Sequence, residues 1–126
     1  AQVMGKEVRL LDYIENHGQG LSWYVKELTE RGWQRAEMLL PHDVQVRELG
    51  TGRSRLEVLQ EAGLNCTVVP RLSVEDGIQA VRTLLPNCWF HATKVKQGLE
   101  CLRNYRREYD EKRSIFYSAR LGISRI

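Results

Sequence analysis

The sequence has few of the features that mark secreted, membrane-spanning or zinc-binding proteins. Its three cysteines, Cys66, Cys88 and Cys101, are far apart and odd in number, and none has the spacing of a structural metal site. This usage favours free thiols in a reducing compartment. No apolar run approaches the ~18 residues that a membrane helix needs, and no signal-peptide pattern is present. We therefore predict a cytoplasmic protein without a membrane partner.

The composition is that of a globular protein with a mild positive charge. The chain has 126 residues, of which 42% are hydrophobic and 28% are charged. This length predicts one domain, and this apolar content is sufficient for a core. The formal net charge of +3 allows nucleic acid as a partner but does not require it.

Short apolar runs alternate along the chain with amphipathic segments that end at glycine or proline. The pattern predicts strands at residues 8–15, 36–40, 66–69 and 88–90, with Gly5 in a hairpin turn before the first of them. Helices are expected after Gly20, Ser54, Ser73 and Thr93, and the last of these is long, reaching Tyr109 before the pattern fades near Lys112. This alternation indicates an α/β fold with a largely parallel sheet.

Asp43 is the first candidate for a site, because it lies just beyond the predicted strand 36–40. Ligands of parallel sheets bind beyond the carboxyl ends of the strands, and a carboxylate there is a natural ligand for Mg²⁺. The alternative is a turn or a helix cap, which aspartate favours after proline. Asp12 and Glu15 fall within a predicted strand, where their side chains would point to opposite faces.

Two arginine-rich segments are candidates for phosphate contacts. Residues 50–55 read GTGRSR, which is not a Walker A motif, although backbone N–H groups there could hold a phosphate; a flexible loop with solvated arginines is the alternative. Arg103, Arg106 and Arg107 have the i, i+3, i+4 spacing of one helix face, which suits either a DNA backbone or solvent.

Four collinear stretches carry a resemblance to a known family: LLDYIENHGQGLSWYVKELTERGW, LLPHDVQVRELGTGRSRLEVLQEAGL, VVPRLSVEDGIQAVRTLLPNCWFH and GLECLRNYRREYDEK. Together they resemble the nuclease domain of tailed-phage terminase large subunits over about residues 1 to 116. The segment PHD, with the Arg-Glu that follows it, and the segments GIQAVR and YRREYDEK make the likeness specific. Residues 117–126 form a divergent C-terminal tail.

The resemblance implies an RNase H-like mixed sheet flanked by helices. It also implies a two-metal endonuclease that uses Mg²⁺ or Mn²⁺ to cut double-stranded DNA in the cytoplasm of a bacterial host, alongside other phage packaging proteins. Asp43 matches the second catalytic aspartate of the family and is therefore the expected metal ligand. Arg53, Arg55, Arg103, Arg106 and Arg107 are the expected DNA contacts.

The chain departs from the family pattern at both ends. The first strand of the family, with its aspartate, would precede Ala1, and no acidic residue follows Glu111 where the third aspartate is expected. One of three carboxylates thus remains, so we expect weak or no cleavage, and self-association through exposed sheet edges. A non-enzymatic prophage remnant that binds DNA or protein is one alternative, and an unrelated phosphate-binding α/β domain is another.

Overall fold

The computed structural model describes residues 1–110 and 115–119, with 107–110 and 115–119 described by their backbone alone. Two 3-10 turns cover His42–Gln45 and Leu85–Asn87. The strands and helices of the described residues are, in chain order, β1 (Gln2–Met4), β2 (Glu7–Leu10), α1 (Leu21–Glu30), β3 (Glu37–Leu40), α2 (Arg55–Glu61), β4 (Asn65–Val68), α3 (Val74–Leu84), β5 (Cys88–Phe90), α4 (Lys96–Arg103), β6 (Arg106–Asp110) and β7 (Ile115–Ala119).

The chain divides into two compact units. One comprises Ala1–His17 with the chain from Gly77 onward, and the other comprises Gly18–Asp76. Helices alternate with strands, which confirms the α/β class. The described strands form three small sheets, β1-β2-β5, β3-β4 and β6-β7. Two of their pairings are parallel, β2 with β5 and β3 with β4, and two are antiparallel, β1 with β2 and β6 with β7, so the described pairings are mixed rather than largely parallel. The RNase H-like strand order stays a prediction.

In the first unit, the predicted hairpin is confirmed. β1 and β2 pair antiparallel, with Val3 opposite Val8, and Gly5 adopts a φ of 61° in the turn between them, a conformation that favours glycine. β2 also pairs in parallel with β5, with Leu10 opposite Phe90. The pairing continues past both strands, because the His91 N–H donates to the Leu10 carbonyl at 2.9 Å.

In the second unit, β3 and β4 pair in parallel and are joined by the crossover that contains α2. Leu40 lies opposite Val68, and the Val69 N–H donates to the Leu40 carbonyl at 2.8 Å. The predicted Ser54 cap is confirmed as a complete capping box with Glu57. The buried residues of this unit belong to the crossover or to the turn that enters β4: Val44, Ser54, Leu59 and Leu64.

Both strands of this pair alternate between half-buried and exposed residues. The half-buried set is Met38, Leu40, Cys66 and Val68, and the exposed set is Glu37, Leu39, Asn65 and Thr67. Parallel strands covered on both faces are apolar throughout, whereas here Thr67 donates a hydrogen bond to Glu37 on the exposed face at 2.7 Å. This face therefore has the polar character of a surface.

Two predicted elements are longer than the observed ones. β2 ends at Leu10 rather than residue 15, so Asp12 and Glu15 follow the strand instead of lying in it. α4 ends at Arg103, because Asn104 occupies its C-cap and its side-chain amide donates to the Glu100 carbonyl at 2.8 Å. Residues 106–110 then form a strand paired with 115–119. Thr93 is not the cap of α4, since Val95 holds that position.

A close backbone approach fixes the position of α4 in the first unit. A Cβ added at Gly98 would lie 2.7 Å from Cδ2 of Tyr13 and 2.9 Å from Cε2 of the same ring. Only glycine allows the aromatic ring to rest on the helix at this point. The segment after β2 and the start of α4 are thereby held together.

Gly98→Ala should lower the free energy of unfolding by about 1–3 kcal/mol, because the new methyl group overlaps the Tyr13 ring. Urea denaturation followed by circular dichroism measures the change. Gly77→Ala is the matched control: Gly77 is also helical, a Cβ there meets nothing within 4 Å, and alanine should stabilise the helix by roughly 0.5–1 kcal/mol. Equal effects of the two substitutions would contradict the packing role of Gly98.

Candidate functional site

Asp43 lies in the 3-10 turn His42–Gln45 that follows β3 directly. Val44 is buried with 6% exposure and anchors the turn, while His42 and Asp43, which precede it, are exposed. The N-cap of the turn is Pro41, so the helix-cap alternative for Asp43 is wrong. The turn is closed by the Val46 N–H, which donates to the Asp43 carbonyl at 3.2 Å, and its backbone leaves the Asp43 side chain at the surface.

This turn begins at the carboxyl edge of the β3–β4 pair. Because the strands are parallel, the segment after β4, with Pro70 and Arg71, begins at the same edge. Ligands of parallel sheets bind at such edges. Asp43 contributes a carboxylate there and Arg71 an exposed guanidinium, so the edge offers one group suited to a divalent cation and one suited to an anion.

The segment from Arg47 to Ser54 is a turn closed by backbone hydrogen bonds. Arg47 and Ser54 form an isolated antiparallel bridge. Inside it, the Glu48 N–H donates to the Arg53 carbonyl at 3.0 Å, and the Gly52 N–H donates to the Glu48 carbonyl at 2.8 Å. Gly52 adopts a φ of 66°. We refer to residues 47–55 as the arginine turn.

Each arginine of the arginine turn is paired with a carboxylate. Arg53 pairs with Glu61, and Arg55 Nε lies 3.9 Å from Glu48 Oε1. Arg47, which was not among the predicted DNA contacts, lies 3.3 Å from Glu57 Oε1 and also donates to the Gly52 carbonyl at 3.1 Å. The arginines of this turn are thus both paired and exposed to solvent, and their role as phosphate contacts stays a prediction.

The other three predicted DNA contacts do not form a face of one helix. Arg103 is the last residue of α4, while Arg106 and Arg107 belong to β6. The i, i+3, i+4 spacing groups side chains only where the helix continues. Arg103 and Arg106 are exposed, so their role as DNA contacts stays a prediction, but the helical grouping behind it is wrong.

The structure brings Tyr13, Glu15 and Gln97 together in the first unit, which the sequence did not predict. The Tyr13 hydroxyl donates to Glu15 Oε2 at 2.6 Å, and the Gln97 amide donates to Glu15 Oε1. Burial, the Glu15 carboxylate and, to a smaller extent, Cys101 raise the pKa of Tyr13 above its ordinary value. The missed signal was Gly98, because a helical glycine often marks a close approach.

The carboxylates of this cluster accept hydrogen bonds from their own surroundings. Asp12 Oδ1 accepts from the Tyr13 N–H at 2.9 Å, and both oxygens of Glu15 have donors. Within the residues whose side chains are described, no group of three or more His, Cys, Asp or Glu is arranged to hold a metal ion. Asp43 therefore offers one hard oxygen ligand, and the described residues do not complete a coordination set around it.

Comparison with family models, with curated proteins and with solved structures finds no match to this chain. The terminase resemblance therefore remains an inference from the motifs. In the part of the chain that the structure describes, no helix is long and apolar enough to cross a membrane.

Tyr13→Phe should remove a loss of stability that the wild type shows in alkali. The unfolded chain releases the Tyr13 proton near pH 10, whereas the folded chain retains it to higher pH because the pKa of Tyr13 is raised. The folded state then binds more protons, so the free energy of unfolding falls as the pH rises above about 10.

Urea denaturation at a series of pH values, from neutral to above about pH 10, measures this decline in the free energy of unfolding. Tyr105→Phe, at another half-buried tyrosine of the same unit, is the control and should keep the wild-type decline. The interpretation fails if Tyr13→Phe and the wild type lose stability in parallel above pH 10.

Proposed function

We propose that this chain is a nuclease-like domain of the tailed-phage terminase large-subunit type, with an RNase H-like fold, acting on double-stranded DNA in the cytoplasm of a bacterial host. Asp43 binds Mg²⁺ or Mn²⁺, and the arginine turn contacts the DNA backbone. The observation that carries the proposal is the placement of Asp43, exposed in an anchored turn at the carboxyl edge of a parallel strand pair.

The segment between β3 and β4 supports this assignment in two further ways. It carries PHD with the Arg-Glu that follows, one of the segments that make the resemblance specific, and also the arginine-rich GTGRSR. It also delivers an acidic group and several arginines from one short crossover, and phosphodiester chemistry requires both a metal ligand and backbone contacts.

Cleavage by this chain alone is expected to be weak or absent. Mg²⁺ gives up its water shell reluctantly and is usually held by one or two carboxylates together with substrate phosphates. Among the residues whose side chains are described, no group of acidic, histidine or cysteine side chains is arranged to complete a metal site with Asp43. The proposal therefore separates DNA binding, which depends on arginines, from strand cutting, which depends on further ligands.

A second candidate function is a non-enzymatic module that binds DNA or protein, including phage packaging proteins or another copy of itself. The observation that favours it is the state of the sheet edges. Among the described strands, β1 and β5 are the outer strands of their sheet, and Val3 and Trp89 on them are 72% and 64% exposed. In the other unit, Leu39 on β3 is 64% exposed. Exposed apolar edge strands favour pairing with another chain.

Nicking of supercoiled plasmid tests the first function. The purified chain is incubated with Mn²⁺, Mg²⁺ or EDTA, beside Asp43→Ala and Asp43→Asn. We expect slow nicking in Mn²⁺ that EDTA abolishes and that both substitutions remove, because the metal then loses its carboxylate. Asp76→Asn, at an exposed aspartate in the first turn of α3, is the control for the loss of one negative charge.

The outcomes separate the two candidates. Nicking that survives Asp43→Ala would point to a contaminating nuclease and remove support for the site. A folded sample that binds duplex DNA without cutting it would favour the non-enzymatic module.

Light scattering across a concentration series tests self-association. The wild type should exceed the monomer mass of 14.6 kDa as its concentration rises, and the double substitution Val3→Lys with Trp89→Lys should restore the monomer, since charges on edge strands block pairing. Leu102→Lys, at a residue of α4 that is 39% exposed, should leave the association unchanged. A wild-type monomer at all concentrations would contradict pairing through these edges.

A further inference from the structure

We infer that Glu48 and Glu61 are built-in competitors of DNA phosphates for the guanidinium groups of the arginine turn, and that Arg47 is a third phosphate-binding residue of this turn. The inference rests on the DNA binding proposed above. It adds a specific claim, which is that the carboxylates keep the affinity for DNA low until phosphates displace them.

The charges of this region balance when they are counted locally. Arg47, Arg53 and Arg55 supply three positive charges, and their partners Glu57, Glu61 and Glu48 supply three negative charges. The arginine turn together with Glu57 and Glu61 of α2 is therefore electrically neutral, although the sequence of the turn is rich in arginine. A polyanion approaching it meets carboxylates beside every guanidinium, which weakens the long-range attraction that normally drives DNA binding.

The ion pairs are exposed, which makes them exchangeable. The side chains of Arg47, Arg53 and Arg55 are 71%, 45% and 44% exposed. Exposed pairs contribute little to stability because water and salt screen them. A phosphate can thus replace a carboxylate without unfolding the turn, since guanidinium groups bind phosphate and carboxylate with the same fork of donors.

The backbone of the turn keeps the arginines in place during such an exchange. The bridge between Arg47 and Ser54 and the hydrogen bonds within it involve backbone atoms. The Ser54 capping box fixes the start of α2. Neither Glu48 nor Glu61 contributes its side chain to these contacts, whereas Glu57 accepts from the Ser54 N–H at 2.9 Å. Glu48 and Glu61 are consequently the residues to substitute.

The experiment measures binding of a short fluorescent DNA duplex by anisotropy, with the full chain, at several salt concentrations. Glu61→Gln should tighten binding about threefold, as expected for release of one exposed ion pair. The slope of log K against log salt should become steeper by about 0.9, because one more phosphate contact releases its counterion. Glu48→Gln should act in the same direction, and Arg47→Ala should weaken binding.

Two controls separate local competition from net charge. Glu30→Gln removes the same charge from an ion pair with Lys26 on α1, at a glutamate 58% exposed against 66% for Glu61, and should leave binding nearly unchanged. In an Arg53→Ala background, Glu61→Gln should lose its effect. Circular dichroism and urea denaturation confirm that each variant is folded.

The failure of this inference can be told from the failure of the proposed function. If Arg53→Ala weakens binding while Glu61→Gln and Glu48→Gln do not tighten it, the proposed competition by the glutamates is wrong, but DNA binding by the arginine turn is supported. An equal gain from Glu30→Gln, or a gain that persists without Arg53, also overturns the proposed competition. If neither the wild type nor any glutamate variant binds the duplex, both proposals fall.

Discussion

The parallel pairing of β3 with β4 is the constraint on which the candidate site depends. Two parallel strands cannot be joined by a tight hairpin and need a crossover, and here the crossover contains the 3-10 turn, the arginine turn and α2. The register that sets Leu40 opposite Val68 determines where β3 ends and therefore where the turn that carries Asp43 begins. Asp43 and the three arginines of the arginine turn lie in this single connection. A shift in the register of β3 against β4 would therefore displace the carboxylate and the guanidinium groups at the same time.

The crossover holds the buried apolar residues of its unit, Val44, Leu59 and Leu64, and specific polar contacts add to this packing. Val44 and Ser54, both nearly fully buried, anchor its two halves, one in the 3-10 turn and one at the start of α2. The capping box satisfies N–H groups that the first turn of a helix otherwise leaves without partners. A short helix of this kind has little intrinsic stability, so its cap and its packing against the strands keep the arginine turn in one conformation. The ion pairs of the arginine turn are not part of these contacts, so the arginines can exchange partners while the buried residues and the capping box stay in place.

The features that were predictable from the sequence are those with local causes. Gly5 in the hairpin turn, Pro41 after β3 and Ser54 before α2 each act through neighbouring residues, and each holds the predicted position. The end of α4 was mispredicted because residues 103–109 keep helical spacing, while the Asn104 cap and the pairing of residues 106–110 with 115–119 stop the helix. That pairing is a contact between two strands, which the spacing of residues within one segment does not detect. The partners of the arginines were missed for the same reason, since Arg47 and Glu57 are ten positions apart.

Several carboxylates of the chain already accept hydrogen bonds or pair with arginines. Asp43 differs from them in this respect. Glu15 accepts hydrogen bonds on both oxygens within its own unit, so a cation would have to displace Tyr13 and Gln97 to reach it. Glu48, Glu57 and Glu61 are paired with arginines, and a metal there would leave guanidinium groups without their partners beside a new positive charge. Asp43 stands in an exposed turn whose contacts are made by backbone atoms and by Val44. Binding a cation at Asp43 would therefore disturb less structure than binding one at Glu15 or at the glutamates paired with arginines.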